Sequence, residues 1–271
     1  MVGVSFNGRL GNQLFQFYFL LYLKSRKKNC FYFFPNPHHT KLAKYFDLGF
    51  YYHLTLGSKI YSVFTRILPR LIRFKDIYIQ NIEVPKKVDV QNFTIYRGFF
   101  QTDWYLKHTP EKFNIRIRQK YQDEFQALYG DIFKSEKTMA VHIRRTDYLK
   151  YGKRDISLPI EYFKRQLAAI SNKDDYRIFF LSDDIEYVKA EFETKPNYIF
   201  SDNSEIIDFQ IIKNADLAII SNSSFSWWAC YLSEKKNTVI APKNWLAFRL
   251  GKEHPKGVMT EKFIWKDVFH D

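Results

Sequence analysis

Thr138-Met139-Ala140-Val141-His142-Ile143-Arg144-Arg145-Thr146-Asp147 begins as a short apolar run and ends in charge. The run Thr138–Ile143 is apolar on both faces, the mark of a strand buried inside a parallel sheet. Similar runs follow at Arg177–Leu181, Ala218–Ile220 and Thr238–Ala241, with helix-like segments between them at Ile160–Ile170, Ile185–Phe192 and Glu205–Lys213. Strand and helix alternating at this spacing specify βαβ units with right-handed crossovers, hence a doubly wound parallel sheet.

Each run passes directly into a polar cluster: His142–Asp147, Ser182-Asp183-Asp184, Ser221-Asn222-Ser223-Ser224 and Pro242-Lys243-Asn244-Trp245. Open α/β sheets bind ligands at the carboxyl ends of their strands, so these clusters are expected to line one crevice. The first half starts in the same way. Strand-like Val2–Phe6 leads through Asn7-Gly8-Arg9-Leu10-Gly11 into a helix from Asn12 to about Lys24, and a later strand, Phe93–Tyr96, ends in Arg97-Gly98-Phe99-Phe100-Gln101-Thr102-Asp103. The expected architecture is α/β, with two Rossmann-like domains, 1–130 and 131–271, facing a central cleft.

At the end of the 138–143 strand, alternation puts His142 and Arg144 on one face and Ile143 on the other. Arginines at the mouth of an apolar strand call for anions, and a guanidinium fork matches phosphate oxygens while staying charged. An ion pair between Arg145 and Asp147 is the plainer alternative. In Ser221–Trp228, hydroxyls and free amides open a helix, which suits either an anion site or simple capping. Asp183 and Asp184 can cap the next helix or accept hydrogen bonds from a guanine edge. The Gly8–Gln13 loop has too few glycines for a dinucleotide or Walker loop. No DxD pair and no close histidine spacing offers a metal site.

With 271 residues, 46% hydrophobic and 26% charged, the chain is long enough for two cores and too apolar for disorder. Its two cysteines, Cys30 and Cys230, form no disulfide framework and fit a reducing compartment. The apolar stretch Leu14–Leu23 is too short to span a bilayer, and Lys24, Arg26, Lys27 and Lys28 lie on the wrong side for a secretory signal. The net charge of +13 favours anionic partners, and the 19% aromatic content could serve stacking as well as core. Around residues 59–75, Ile60, Val63, Phe64, Ile67, Leu68 and Leu71 keep helical spacing, with Arg66, Arg70 and Arg73 off that stripe. The expectation is a core-packed helix with a basic solvated face, bent or interrupted at Pro69. Peripheral membrane contact is the other reading.

The chain resembles the family 11 glycosyltransferases, the α-1,2-fucosyltransferases, through five ordered motifs. These are Gly8-Arg9-Leu10-Gly11-Asn12-Gln13-Leu14-Phe15-Gln16, Gly98-Phe99-Phe100-Gln101, Val141–Asp147, Leu181-Ser182-Asp183-Asp184, and Ser221-Asn222-Ser223-Ser224-Phe225-Ser226-Trp227-Trp228-Ala229. Cys230 stands where many members carry a second alanine. The resemblance implies a GT-B fold, GDP-fucose as donor, a β-galactoside acceptor glycan, inversion at the anomeric carbon, and no metal or other cofactor. It implies Arg144 on the β-phosphate, His142 and Asp183 on guanosine, and Ser223, Ser224 and Phe225 on the pyrophosphate, with Arg145, Asp184 and Asn222 beside them. Asn12 and Gln13 would face fucose. Animal members carry a membrane anchor ahead of the first motif, so this chain resembles a soluble, cytoplasmic bacterial enzyme.

The expected reaction is a single displacement, with Arg144 and the amides at Ser223 and Ser224 taking up charge as GDP leaves. For the general base, Asp147 comes first, although an arginine beside it would weaken it, then Asp103, then a phosphate oxygen of the donor. The competing functions are a fucosyltransferase of α-1,6 or protein O-linked type and a nucleic-acid-binding protein. The second lacks any RNP-like, helix-turn-helix or zinc-finger pattern.

Overall fold

A computed structural model of the chain describes residues 1–35, 37, 40–49, 55–110 and 115–270. The chain folds into two compact units: Met1–Gln119 with His254–Val258, and Lys120–Glu253 with Met259–Asp271.

In the first unit, β1 (Val2–Val4) is flanked by β2 (Tyr32–Phe33) and β5 (Thr94–Arg97), and β4 (Lys75–Tyr78) closes the order β2-β1-β5-β4. Every pairing is parallel. Helix α1 (Leu10–Arg26) follows β1 and buries Leu14, Phe15, Phe19 and Leu23. Short elements complete the unit: α2 (Lys41–Tyr45), α4 (Trp104–Lys107), and a β3–β6 pair (Phe46–Asp47 with Arg116–Ile117) that runs antiparallel. Phe19 and Phe100 stack face to face at 3.8 Å, joining α1 to the loop after β5.

Two glycines fix the loops that carry the first unit's motifs. Gly8 has φ +77°, and a Cβ there would lie 2.5 Å from Asn12 Nδ2. Gly98 has φ +153°, and a Cβ would lie 2.3 Å from the Ile79 carbonyl oxygen. Only glycine tolerates both the backbone and the approach.

The expectation for the basic helix is reversed. α3 (Leu56–Leu71) forms and runs through Pro69, but it buries Ser58, Ser62, Thr65 and Leu68. Leu68 packs with Phe33 and Ile95 of the sheet. The apolar stripe at Leu56, Ile60, Val63, Phe64, Ile67 and Leu71 is exposed. Periodicity shows that a helix is two-sided but not which side is buried; here the side of Ser58, Ser62, Thr65 and Leu68 is buried and the bulky stripe is not.

The second unit holds a fully parallel sheet in the order β12-β11-β10-β7-β8-β9. Its strands are β7 (Lys137–Ile143), β8 (Tyr176–Ser182), β9 (Tyr198–Phe200), β10 (Leu217–Ile220), β11 (Thr238–Pro242) and β12 (Ile264–Lys266). Helices α5 (Gln119–Ser135), α6 (Ile160–Ala168), α7 (Ile185–Glu191), α8 (Glu205–Asn214) and α9 (Ser224–Tyr231) accompany it. Met139, Val141, Ile143, Phe180 and Ile219 build a core with Tyr162 and Phe163 of α6. The central pair, β7 and β8, aligns His142 with Leu181 and Ile143 with Ser182. This brings the two polar clusters that follow them side by side. Two Rossmann-like parallel sheets give the expected α/β, GT-B class of architecture. Among the described residues, no helix is long and apolar enough to cross a membrane.

Candidate active site

In the second unit the loop after β7 is built around Arg144. Its Nη2 lies 2.5 Å from Asp147 Oδ1 and its Nη1 3.2 Å from Asp183 Oδ2. Asp183 also accepts from the Arg145 amide at 2.9 Å and from the Thr146 hydroxyl. Burial would raise the Asp183 carboxyl, but the Thr146 hydrogen bond, the Arg144 charge and the Arg145 amide outweigh it and hold the group below the usual carboxylate range. Asp183 thus works as an anionic strut that orders residues 144–146.

Asp147 pairs with Arg144 rather than with Arg145, the plainer alternative that the sequence offered. Arg145 turns toward α7, where its Nε is 3.2 Å from Asp184 and its guanidinium lies 3.4 Å over the Tyr187 ring. Asp184 caps α7 by accepting from the Tyr187 amide, one of the two roles open to the aspartate pair. Asp147 keeps a partly exposed carboxylate, 42% of its side chain.

His142 is buried at the end of β7, its Nδ1 3.1 Å from the Ser221 hydroxyl and its ring 5.6 Å from Phe225. Burial first, and then the Arg144 charge, lower its pKa from 6.5 to about 3, so the imidazole is neutral. Ser223 stands at the N-cap of α9 with no side-chain capping bond, and the first-turn amides of Ser224 and Phe225 lead out of the helix end. Asn222 is fully buried and donates to the Ile156 carbonyl at 2.8 Å, which shapes the loop from inside.

Spacing gave no sign of Tyr148. Its hydroxyl donates to the Asn222 carbonyl at 3.2 Å, and the Arg144 guanidinium sits 5.6 Å from its ring centroid. Burial pushes the phenol up to about 12, so it stays protonated. Tyr148 and His142 together tie the arginine loop to the serine loop. The result is a guanidinium held by two carboxylates beside an uncapped helix start, a constellation suited to an oxyanion.

In the first unit, Gln13 is buried and bridges backbone: its Nε2 donates to the Gly8 carbonyl at 3.1 Å, and its Oε1 accepts from the Leu42 amide at 2.9 Å. Asn12 accepts from Gln101 Nε2 at 2.8 Å. Asp103 is buried and lies 3.1 Å from Lys107.

Gln101 also lines a pocket of about 480 Å³ at the carboxyl ends of β1, β4 and β5, with Asn7, Tyr78, Asn81, Arg97, Phe99 and His254 among its other walls. Tyr78 and Phe99 are exposed aromatic rings, at 68% and 42%. Asn81 is 9% exposed, and its Nδ2 has no partner among the described residues. Sequence reasoning missed this pocket, because its walls come from 78–82 and from 254–255, far apart in the chain. Among the described residues, no group of His, Cys, Asp and Glu is arranged to hold a metal ion.

Residues 1–259 match the family model Glycosyl transferase family 11. The chain belongs to this family. Relatives from Escherichia coli include the O-antigen biosynthesis glycosyltransferase WbnK, 30% identical over 125 residues (43% of this chain, 41% of WbnK). An alpha-1,2-colitosyltransferase from the same organism is 29% identical over 172 residues (55% of this chain, 54% of the relative). The chain thus spans about half the length of the curated relatives it matches. Similar solved structures include the NodZ alpha-1,6-fucosyltransferase co-crystallised with GDP, with TM-score 0.53, 13% identity and coverage of 85% of this chain and 92% of that one. A glycosyl transferase family 9 protein from Veillonella parvula gives TM-score 0.52, 11% identity and coverage of 98% and 85%. At these identities the likeness speaks for the fold.

Proposed function

We propose that this family 11 chain transfers L-fucose from GDP-fucose to the 2-hydroxyl of a terminal galactose, with inversion at the anomeric carbon. The observation that carries the reading is Arg144, pinned between Asp147 and Asp183 beside the start of α9. Two carboxylates fix its side chain before any ligand arrives, so it meets a phosphate without reorganising.

The acceptor oxygen forms a bond to C1 of fucose as the C1–O bond to the β-phosphate breaks, and the electron pair leaves with GDP. Arg144 and the amides at Ser223 and Ser224 take up the charge that grows there; Phe225 and neutral His142 border the nucleotide. Asp147 takes the acceptor proton. Asp183, Asp184, Arg145 and Asn222 shape the loops that present the donor. No metal or other cofactor enters these steps.

The acceptor belongs in the first unit's pocket, next to Asn12 through Gln101. A pyranose has a C–H face that a ring such as Tyr78 covers, and hydroxyls that amides such as Asn81 satisfy. The volume of 480 Å³ is within the range of about 300–1,000 Å³ for small-molecule sites.

A second reading, transfer of colitose, is favoured by the colitosyltransferase relative. The test offers fucose and colitose nucleotides with a panel of β-galactosides and determines product linkage. An α-1,2-fucosylated galactoside supports the first reading. Transfer of colitose alone, or an α-1,6 or protein O-linked product, rejects it. A thermal shift should respond to GDP and not to oligonucleotides.

A further inference from the structure

The proposed reaction draws on nothing from the outer face of α3. Leu56, Ile60, Val63, Phe64, Ile67 and Leu71 are between 38% and 78% exposed. At 3.6 residues per turn they form one continuous band, and half-exposed Phe31 extends it through a ring contact with Phe64 at 6.3 Å. Contiguous exposed apolar surface of this kind marks an interaction site.

The charges beside it select the partner. Lys59, Arg66 and Arg70 fall along one flank of the band, Arg73 follows the helix, and all are exposed. From residue 55 to residue 75 the sequence contains no acid. Among the described residues, none of these four cations is paired with a carboxylate. An antiparallel pairing of two copies through this face would set like-charged rows together, whereas a lipid surface offers acyl chains to the band and anionic headgroups to the cations.

We propose that α3 docks the protein on an anionic phospholipid bilayer, lying in the interface with Phe64 and Ile67 toward the acyl chains. The inference is independent of the sugar transferred. It is tested by sedimenting the full chain with vesicles of phosphatidylcholine alone and of phosphatidylcholine with phosphatidylglycerol. Sedimentation velocity without lipid accompanies both preparations, the wild type and the double variant F64E/I67E. Both substituted side chains are solvent-facing, and an unchanged far-UV spectrum verifies the variant's fold. Expected are binding to the anionic vesicles at least tenfold tighter than to the neutral ones, weakening with salt, and at least a tenfold loss in the variant. Absence of vesicle binding, binding that the variant retains, or a dimer that the variant dissociates without any vesicle binding would overturn the proposal.

Discussion

Arg144 Nη2 and Asp147 Oδ1 lie 2.5 Å apart across a single turn that begins where β7 ends. The pair gives Asp147 two possible duties, holding the guanidinium and receiving a proton, and kinetics separate them. Asn replaces the charge and keeps the shape, so Asp147→Asn should lower kcat at least about 100-fold while the KM for the donor changes little. A raised donor KM with near-normal kcat would make Asp147 a brace only and leave the proton to Asp103 or to a donor phosphate oxygen, which Asp103→Asn then separates.

The first-unit pocket gives a prediction that leaves the nucleotide untouched. Tyr78→Ala and Asn81→Ala should each raise the acceptor KM about tenfold, equivalent to about 1.4 kcal/mol of binding, without changing the donor KM. Steady-state kinetics with each substrate varied in turn reads this out. Equal effects on both substrates would detach the pocket from the acceptor.

His142 and Asp208 pull stability in opposite directions with pH. His142 is held at about 3 against 6.5 when unfolded, so the unfolded chain binds the extra proton and this contribution falls as pH drops through that window. Asp208, raised from 3.8 to about 7 chiefly by burial, binds its proton in the folded chain, so its contribution grows as pH falls over the same range. Relative to wild type, His142→Asn should therefore gain about 2 kcal/mol between pH 7 and pH 5. Urea unfolding of both proteins at the two pH values measures it. Parallel changes in the two would show that His142 is not neutral in the fold.

The buried strands were legible almost to the residue, because a run such as Thr138–Ile143 is apolar on both faces only when covered on both. The edge strand β4 was not: Lys75, Asp76 and Tyr78 are exposed, so it carries no burial pattern. For α3 the period was right and the inward side wrong, since the pattern does not say which face the sheet accepts. In the loop after β7, sequence found the charges but not their partners. Arg144 and Arg145 are adjacent, and only the backbone turn at 145–148 decides that the first takes Asp147 and the second stacks on Tyr187. Tyr148 and the pocket around Asn81 depend on contacts distant in sequence, which no spacing rule encodes.

Uptake by Arg144 of the charge on the departing nucleotide is tested by the turnover of Arg144→Ala with GDP-fucose and a β-galactoside, measured alongside the variant's thermal midpoint. Loss of one preorganised charge-stabilising group corresponds to about 3–4 kcal/mol, so kcat should fall by a few hundred-fold with the midpoint little changed. Turnover within a fewfold of wild type in a folded variant would contradict the account.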